Sequence, residues 1–106
     1  MSRIARAVFA FTFLGANGAM AALCVENVSG DIWLFTVASD AGGRAIATLA
    51  PDARLCLQGD GPGTVAVFAN AGELEGCSRR VPGDSIARML DFPGVDLCAW
   101  EAAPPE

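Results

Sequence analysis

The sequence contains no histidine, lysine or tyrosine, so its seven basic residues are all arginines. Without imidazole, histidine-containing metal sites and the catalytic triads or dyads that depend on histidine are excluded. Charged residues make up only 18% of the 106 positions, and the formal net charge is −5. This acidic balance argues against binding to the phosphate backbone of nucleic acid as the main function.

Long apolar runs are also missing, but a shorter one lies near the N-terminus. Arg3 and Arg6 precede the apolar stretch 7–14, and Ala19 and Ala21 supply the small residues of a cleavage site. This order is typical of a secretory signal peptide, and we predict cleavage after Ala21. The apolar run is about ten residues long, which is too short for an uncleaved anchor, since crossing a bilayer takes roughly 20.

A lipid anchor at Cys24 is the other alternative for this N-terminal region. A lipobox has a large apolar residue three places before the cysteine and a small residue directly before it. Here Ala21 and Leu23 hold those two places in the reverse order. We therefore expect no lipidation.

Cleavage would leave one domain over 22–101 and a flexible, proline-containing tail over 102–106. Five arginines then face 12 acidic residues, which gives a net charge of −7. Such a charge favours solubility and repels nucleic acid and anionic lipid. The arginine-only, alanine-rich composition favours a GC-rich bacterial source, so we expect the protein in the periplasm or the medium.

Four cysteines lie in the exported part: Cys24, Cys56, Cys77 and Cys98. In an oxidising compartment an even set in a short chain is expected to form disulfides. No two of them have the Cys-x-x-Cys spacing that is usual in zinc and redox sites. Three disulfide pairings are possible. Cys24–Cys98 with Cys56–Cys77 is slightly preferred, because it would hold both ends of the mature chain in place. The sequential pairing, Cys24–Cys56 with Cys77–Cys98, is almost as favourable.

Turn-forming residues divide the rest of the chain into short apolar segments every eight to twelve residues, which is typical of an all-β sandwich or barrel. Two of the segments, 32–38 and 64–70, are apolar on both faces and are expected in central positions. Period-2 counting places Cys56 beside Arg54, Cys77 beside Arg79 and Cys98 beside Asp96. We therefore expect the bridges to lie over the wetter sheet faces rather than between the sheets. The predicted strands are 24–28, 32–38, 44–49, 54–58, 64–70, 77–81 and 95–101.

One short helix is expected near 85–90. Asp84 would cap it, and Ile86, Met89 and Leu90 have the i, i+3, i+4 spacing of a helix face. The last strand, 95–101, is expected to point Val95, Leu97 and Ala99 inward. The predicted fold is thus a small, disulfide-stapled antiparallel β-sandwich of about six to seven strands with one short helix.

Catalytic groups are scarce in this sequence. Most carboxylates occupy turn contexts, and no serine has a histidine or lysine to act as its base. The segment 59–63 offers one acid, too few for a calcium site. Asn27-Val28-Ser29 matches a glycosylation sequon, a three-residue pattern that is common by chance. We predict no catalytic residue, no metal and no cofactor.

The strongest candidate constellation is Cys77 followed by Arg79 and Arg80. Adjacent arginines can recognise an anion or a carboxylate, and they would activate a free thiol. The alternative is that the two arginines point to opposite faces of a strand and pair with acids such as Glu73 and Glu75. Trp33 and Trp100 are the other residues that could contact a partner if they shared an exposed face.

These patterns favour a small exported non-enzymatic binding or accessory protein, of the inhibitor or subunit type, with a protein as its partner. Docking would use an edge strand or the patch of Arg79, Arg80, Trp33 and Trp100. Two other hypotheses remain open. One is a thiol-redox or other enzyme that uses Cys77 beside Arg79 and Arg80, and the other is a structural protein of the cell envelope.

Overall fold

The computed structural model describes residues 21–102. The predicted signal peptide, apart from Ala21, and tail residues 103–106 lie outside the described part. Eight strands occur in residues 21–102, and the first begins directly after the predicted cleavage site. They are β1 (Ala22–Asn27), β2 (Trp33–Ser39), β3 (Arg44–Leu49), β4 (Arg54–Gln58), β5 (Gly63–Phe68), β6 (Cys77–Val81), β7 (Ser85–Asp91) and β8 (Ala99–Trp100).

The strands form two four-stranded sheets, in the orders β4-β1-β7-β8 and β3-β2-β5-β6. The all-β sandwich predicted from the turn spacing is confirmed. The expectation of purely antiparallel pairing is wrong at one place, because β1 and β7 run parallel, with Val25 opposite Ala87. Both segments predicted to be central are confirmed as inner strands, since β2 and β5 pair with each other in the middle of the second sheet.

Alternation of apolar side chains builds the core between the sheets. Leu23 and Val25 of β1 face the second sheet, while Phe35 and Val37 of β2 face the first, and all four are almost completely buried. Leu55 and Leu57 of β4 pack against this cluster, as their shared face predicts. The buried cluster as a whole comprises Leu23, Val25, Phe35, Val37, Leu49, Val65, Val67, Cys77, Val81, Ala87, Met89 and Phe92.

The helix predicted over 85–90 is wrong, because these residues form strand β7. Ala87 and Met89 are buried, whereas Ile86 and Leu90 are 40% and 43% exposed, which is the period-2 pattern of a strand. Asp84 has φ of 52° and turns the chain instead of capping a helix. Residues 21–102 contain no helix that is long and apolar enough to cross a membrane.

The last predicted strand, 95–101, is shortened to Ala99–Trp100. Asp96 has φ of 62°, a left-handed conformation that breaks an extended chain. The N–H of Leu97 donates to the Gly94 carbonyl at 3.0 Å, which closes a turn. The prediction that Val95, Leu97 and Ala99 face inward is therefore wrong. Val95 and Leu97 are 42% and 66% exposed, and Ala99 is also exposed.

The disulfides are sequential, Cys24–Cys56 and Cys77–Cys98, so the slightly preferred end-to-end pairing is wrong. Cys24 and Cys56 are directly opposite each other on β1 and β4, on the outer face of one sheet as expected. The second bridge differs from the prediction. Cys77 faces the core from β6, and Cys98 precedes β8 of the other sheet, so this bridge joins the two sheets at one edge.

Asn27 is a buried polar residue that fastens the turn after β1. Its Nδ2 donates to the carbonyls of Asp31 and Leu49 at 2.8 and 2.9 Å. Its Oδ1 accepts from the N–H and the hydroxyl of Ser29 at 3.1 and 2.6 Å. Because the side chain is fully buried with both donor hydrogens engaged, the sequon at Asn27 has no room for a glycan in the folded protein.

Asn27→Ala should lower the free energy of unfolding by about 3 kcal/mol, because several buried partners would lose their hydrogen bonds together. Asn70→Ala is the matched control. Asn70 is exposed and its side chain accepts only the Gly72 N–H, so its loss should cost less than about 1 kcal/mol. Urea denaturation of both variants measures the difference, and equal losses would contradict the role given to Asn27.

Candidate docking surface

The structure separates the predicted Cys77, Arg79 and Arg80 constellation. Cys77 is bonded to Cys98, and the described residues include no free cysteine. Arg79 lies on the inner face of β6 at the sandwich edge, where its Nη1 donates to the Glu101 carbonyl at 2.8 Å. Arg80 points outward from the same strand. The two guanidinium groups therefore do not form one anion-binding patch, and their partners are not Glu73 and Glu75.

Arg80 forms a two-pronged ion pair with Asp40 in the turn between β2 and β3. Both of its terminal nitrogens lie 2.6 Å from a carboxylate oxygen of Asp40, and Nη1 also donates to the Thr64 hydroxyl at 3.2 Å. The hydrogen bonds from Arg80 hold the pKa of the Asp40 carboxyl below its ordinary value. This pair clamps the β2–β3 turn across the outer face of the second sheet.

The two tryptophans pack against the core and do not share an exposed face. Trp33 contacts Phe92 edge to face, with ring centroids 4.9 Å apart. Phe92 belongs to the buried cluster, and Trp33 packs against it. Trp100 lies opposite Met89 at the edge of the first sheet. Both side chains are half-buried and pack against the core cluster.

The two most exposed large apolar side chains lie on two loops that the Cys77–Cys98 bridge ties together, 69–76 between β5 and β6 and 92–98 between β7 and β8. Leu74 is 94% exposed, the highest fraction among the exposed large hydrophobic residues, and Leu97 and Val95 are 66% and 42% exposed. Exposed acids alternate with them in both loops. We call this region the paired-loop surface; it consists of Glu73, Leu74, Glu75, Val95, Asp96 and Leu97.

Covalent and backbone contacts hold the two loops together. The Cys77–Cys98 disulfide closes their bases, and the Cys98 N–H donates to the Cys77 sulfur at 3.2 Å. The Asp96 N–H donates to the Gly76 carbonyl at 3.4 Å. Because the chain covers at most about 3.6 Å per residue, this bond keeps the Cα atoms of Leu74 and Leu97 within about 18 Å of each other.

Gly76 and Phe92 fix the bases of the two loops. A Cβ at position 76 would collide with the Val67 carbonyl and the Phe68 ring, so only glycine lets the first loop approach β5 this closely. Phe92 is 6% exposed and anchors the second loop beneath Trp33. The two loops that carry Leu74, Val95 and Leu97 are therefore held in place at their bases.

Sequence reasoning missed the paired-loop surface for two different reasons. Residues 71–76 were correctly predicted to be a loop, but a single leucine in a polar loop gives no sign that it is more exposed than average. Val95 and Leu97 were assigned to a strand facing the core. The signal that was available is Asp96, since aspartate is one of the few residues that readily adopts a left-handed conformation.

Other parts of the described chain offer less for chemistry. No group of three or more potential metal-ligating side chains gathers within residues 21–102. An open groove of about 400 Å³ is lined by Ala22, Cys24, Asp84, Ser85 and Ile86. Its one carboxylate, Asp84, lies in an exposed turn.

Comparisons with protein-family models, with curated proteins and with solved structures found no match for this chain.

The Asp40–Arg80 pair predicts a measurable titration behaviour. Arg80→Ala should raise the pKa of Asp40, because the hydrogen bonds to its carboxylate are the main reason that it is low. Since the folded-state pKa is depressed, the stabilisation from this pair is present above the unfolded-state pKa and is lost as the pH falls through the folded-state pKa.

Carboxyl ¹³C shifts of Asp40 followed against pH would measure this change. Arg44→Ala is the control, because Arg44 is an exposed arginine of the adjoining strand β3 that does not contact Asp40. It should leave the Asp40 midpoint where it is in the unaltered protein. An Asp40 midpoint that is the same in Arg80→Ala and the unaltered protein would contradict the assignment.

Proposed function

We propose that this chain is a small exported binding or accessory protein, without catalytic activity of its own, that docks on a protein partner through the paired-loop surface. The observation that carries the proposal is the exposure of Leu74 and Leu97 on loops that a disulfide holds in place. Scattered apolar residues are ordinary on protein surfaces, but the two most exposed ones lie here on loops that are tied together, and this supports a contact site.

Export is supported by two independent features. The sequence pattern of residues 1–21 is that of a cleavable signal peptide. Both disulfides of the described domain are consistent with an oxidising environment outside the cytosol. A periplasmic or secreted location fits both features.

A binding role is favoured over a thiol-dependent enzyme by the arrangement around Cys77. A nucleophilic cysteine requires a thiolate, whereas the Cys77 sulfur is bonded to Cys98. Of the two arginines expected to activate it, Arg80 is paired with Asp40 and Arg79 with a main-chain carbonyl. The carboxylates of the paired-loop surface lie on exposed loops rather than in a cleft that could hold a substrate for acid–base catalysis.

Leu74→Ser combined with Leu97→Ser should weaken partner binding at least tenfold, because each leucine buried at an interface contributes about 1.5–3 kcal/mol. A photo-crosslinking amino acid at position 95 would detect the partner in cells that make the protein. It should give a defined adduct in the otherwise unaltered chain, and this adduct should be lost in the double variant. The same probe at position 60, at the other end of the sandwich, should give none.

Ile46→Ser is the matched control, because Ile46 is 56% exposed on edge strand β3 and undergoes the same chemical change. It should leave the adduct intact, and the denaturation midpoints of all variants should stay close together since the altered side chains are exposed. Loss of the adduct in Ile46→Ser but not in the double variant would overturn the proposed site. An adduct with twice the mass of the chain would instead support the structural-protein hypothesis.

A further inference from the structure

The paired-loop surface combines exposed aliphatic side chains with charge of one sign. Glu73 and Glu75 flank Leu74, and Asp96 lies between Val95 and Leu97. All three acids are exposed, and none forms an ion pair within the described residues. No arginine occurs in either loop, 69–76 or 92–98.

Three of the five arginines of the described domain form ion pairs with acids outside the two loops. Arg54 and Arg88 pair with Glu26 on the outer face of the first sheet, and Arg88 also pairs with Glu101. Arg80 pairs with Asp40 on the outer face of the second sheet. Within residues 21–102 no ion pair joins an arginine to Glu73, Glu75 or Asp96; Arg79, the arginine nearest to loop 69–76 in sequence, donates to the Glu101 carbonyl.

We propose that the partner presents a cationic surface, with arginine or lysine side chains surrounding an apolar depression that receives Leu74 and Leu97. This inference rests on the proposed function and specifies its partner. Covering the aliphatic side chains would also remove water from the neighbouring carboxylates. A neutral or acidic partner would leave those charges unpaired, which is costly, whereas a basic partner compensates them.

The same charge distribution specifies how the two proteins approach each other. Unpaired acids at one end of an acidic molecule attract a basic surface over about a Debye length, which is about 8 Å at physiological ionic strength. Association should therefore accelerate as salt is lowered. Dissociation should depend mainly on the leucines, because apolar contacts are insensitive to screening.

A synthetic fluorescent peptide of alternating leucine and arginine tests this chemistry directly. It should bind the mature, disulfide-bonded protein, whereas the matched peptide of alternating leucine and glutamate should not. Glu73→Gln, Glu75→Gln and Asp96→Asn together should weaken binding of the arginine peptide about tenfold and reduce its salt dependence. Asparagine is chosen at position 96 because it tolerates the left-handed backbone found there.

The control is a second triple variant, Asp40→Asn, Asp60→Asn and Asp84→Asn, which changes the net charge equally in turns at the opposite end of the sandwich. It should alter the affinity by less than twofold. Amide shifts induced by the arginine peptide should concentrate in residues 69–76 and 92–98. Equal losses in the two triple variants, shifts spread over the whole surface, or no binding at all would overturn the inference.

The results that would overturn the cationic partner differ from those that would overturn the docking surface. If the cellular adduct depends on Leu74 and Leu97 while neutralising the three acids leaves arginine-peptide binding unchanged, the docking surface stands and the cationic partner is wrong. If the adduct survives the leucine double variant, the docking surface itself is wrong.

Discussion

The Cys77–Cys98 disulfide joins the edge of one sheet to the segment that enters the edge of the other. A domain of this size buries only about 60–65% of its unfolded surface, so its core leaves a thin margin of stability. A bridge with a sequence separation of 21 contributes about 3 kcal/mol by restricting the unfolded chain. Small domains have about 5–15 kcal/mol of stability in total, so this constraint is a substantial part of what holds the sheets together.

The same bridge explains how aliphatic side chains can remain exposed on loops. Loops normally carry the most mobile parts of a domain. Here the disulfide, the Asp96–Gly76 backbone bond and the Trp33–Phe92 contact restrict both loops at their bases. Preordered loops lose less conformational entropy on binding, which favours affinity without a larger interface. One covalent bond therefore contributes both to the stability of the sandwich and to the geometry of the proposed docking surface.

The alternation of apolar residues and the positions of turn-forming residues are sufficient to predict much of the fold. The predicted strands Arg44–Leu49, Arg54–Gln58 and Cys77–Val81 match the structure residue for residue, because their alternation and flanking turns agree. Strand β7 was misread because Ile86, Met89 and Leu90 also satisfy a helical spacing over so short a run. What selects the strand is its parallel partner β1, some sixty residues earlier, and that pairing leaves no local mark. The paired-loop surface was hidden for the same reason, since exposure is decided by tertiary contacts.

Disulfide mapping of the protein purified from the cells that naturally make it tests the central claim most directly. Non-reducing digestion and mass spectrometry should recover a mature N-terminus at Ala22, no free thiol, and linked peptides joining Cys24 to Cys56 and Cys77 to Cys98. Reduced cysteines on a chain that retains Met1 would contradict export. A bridge from Cys77 to any cysteine other than Cys98 would remove the constraint on which the proposed docking surface depends.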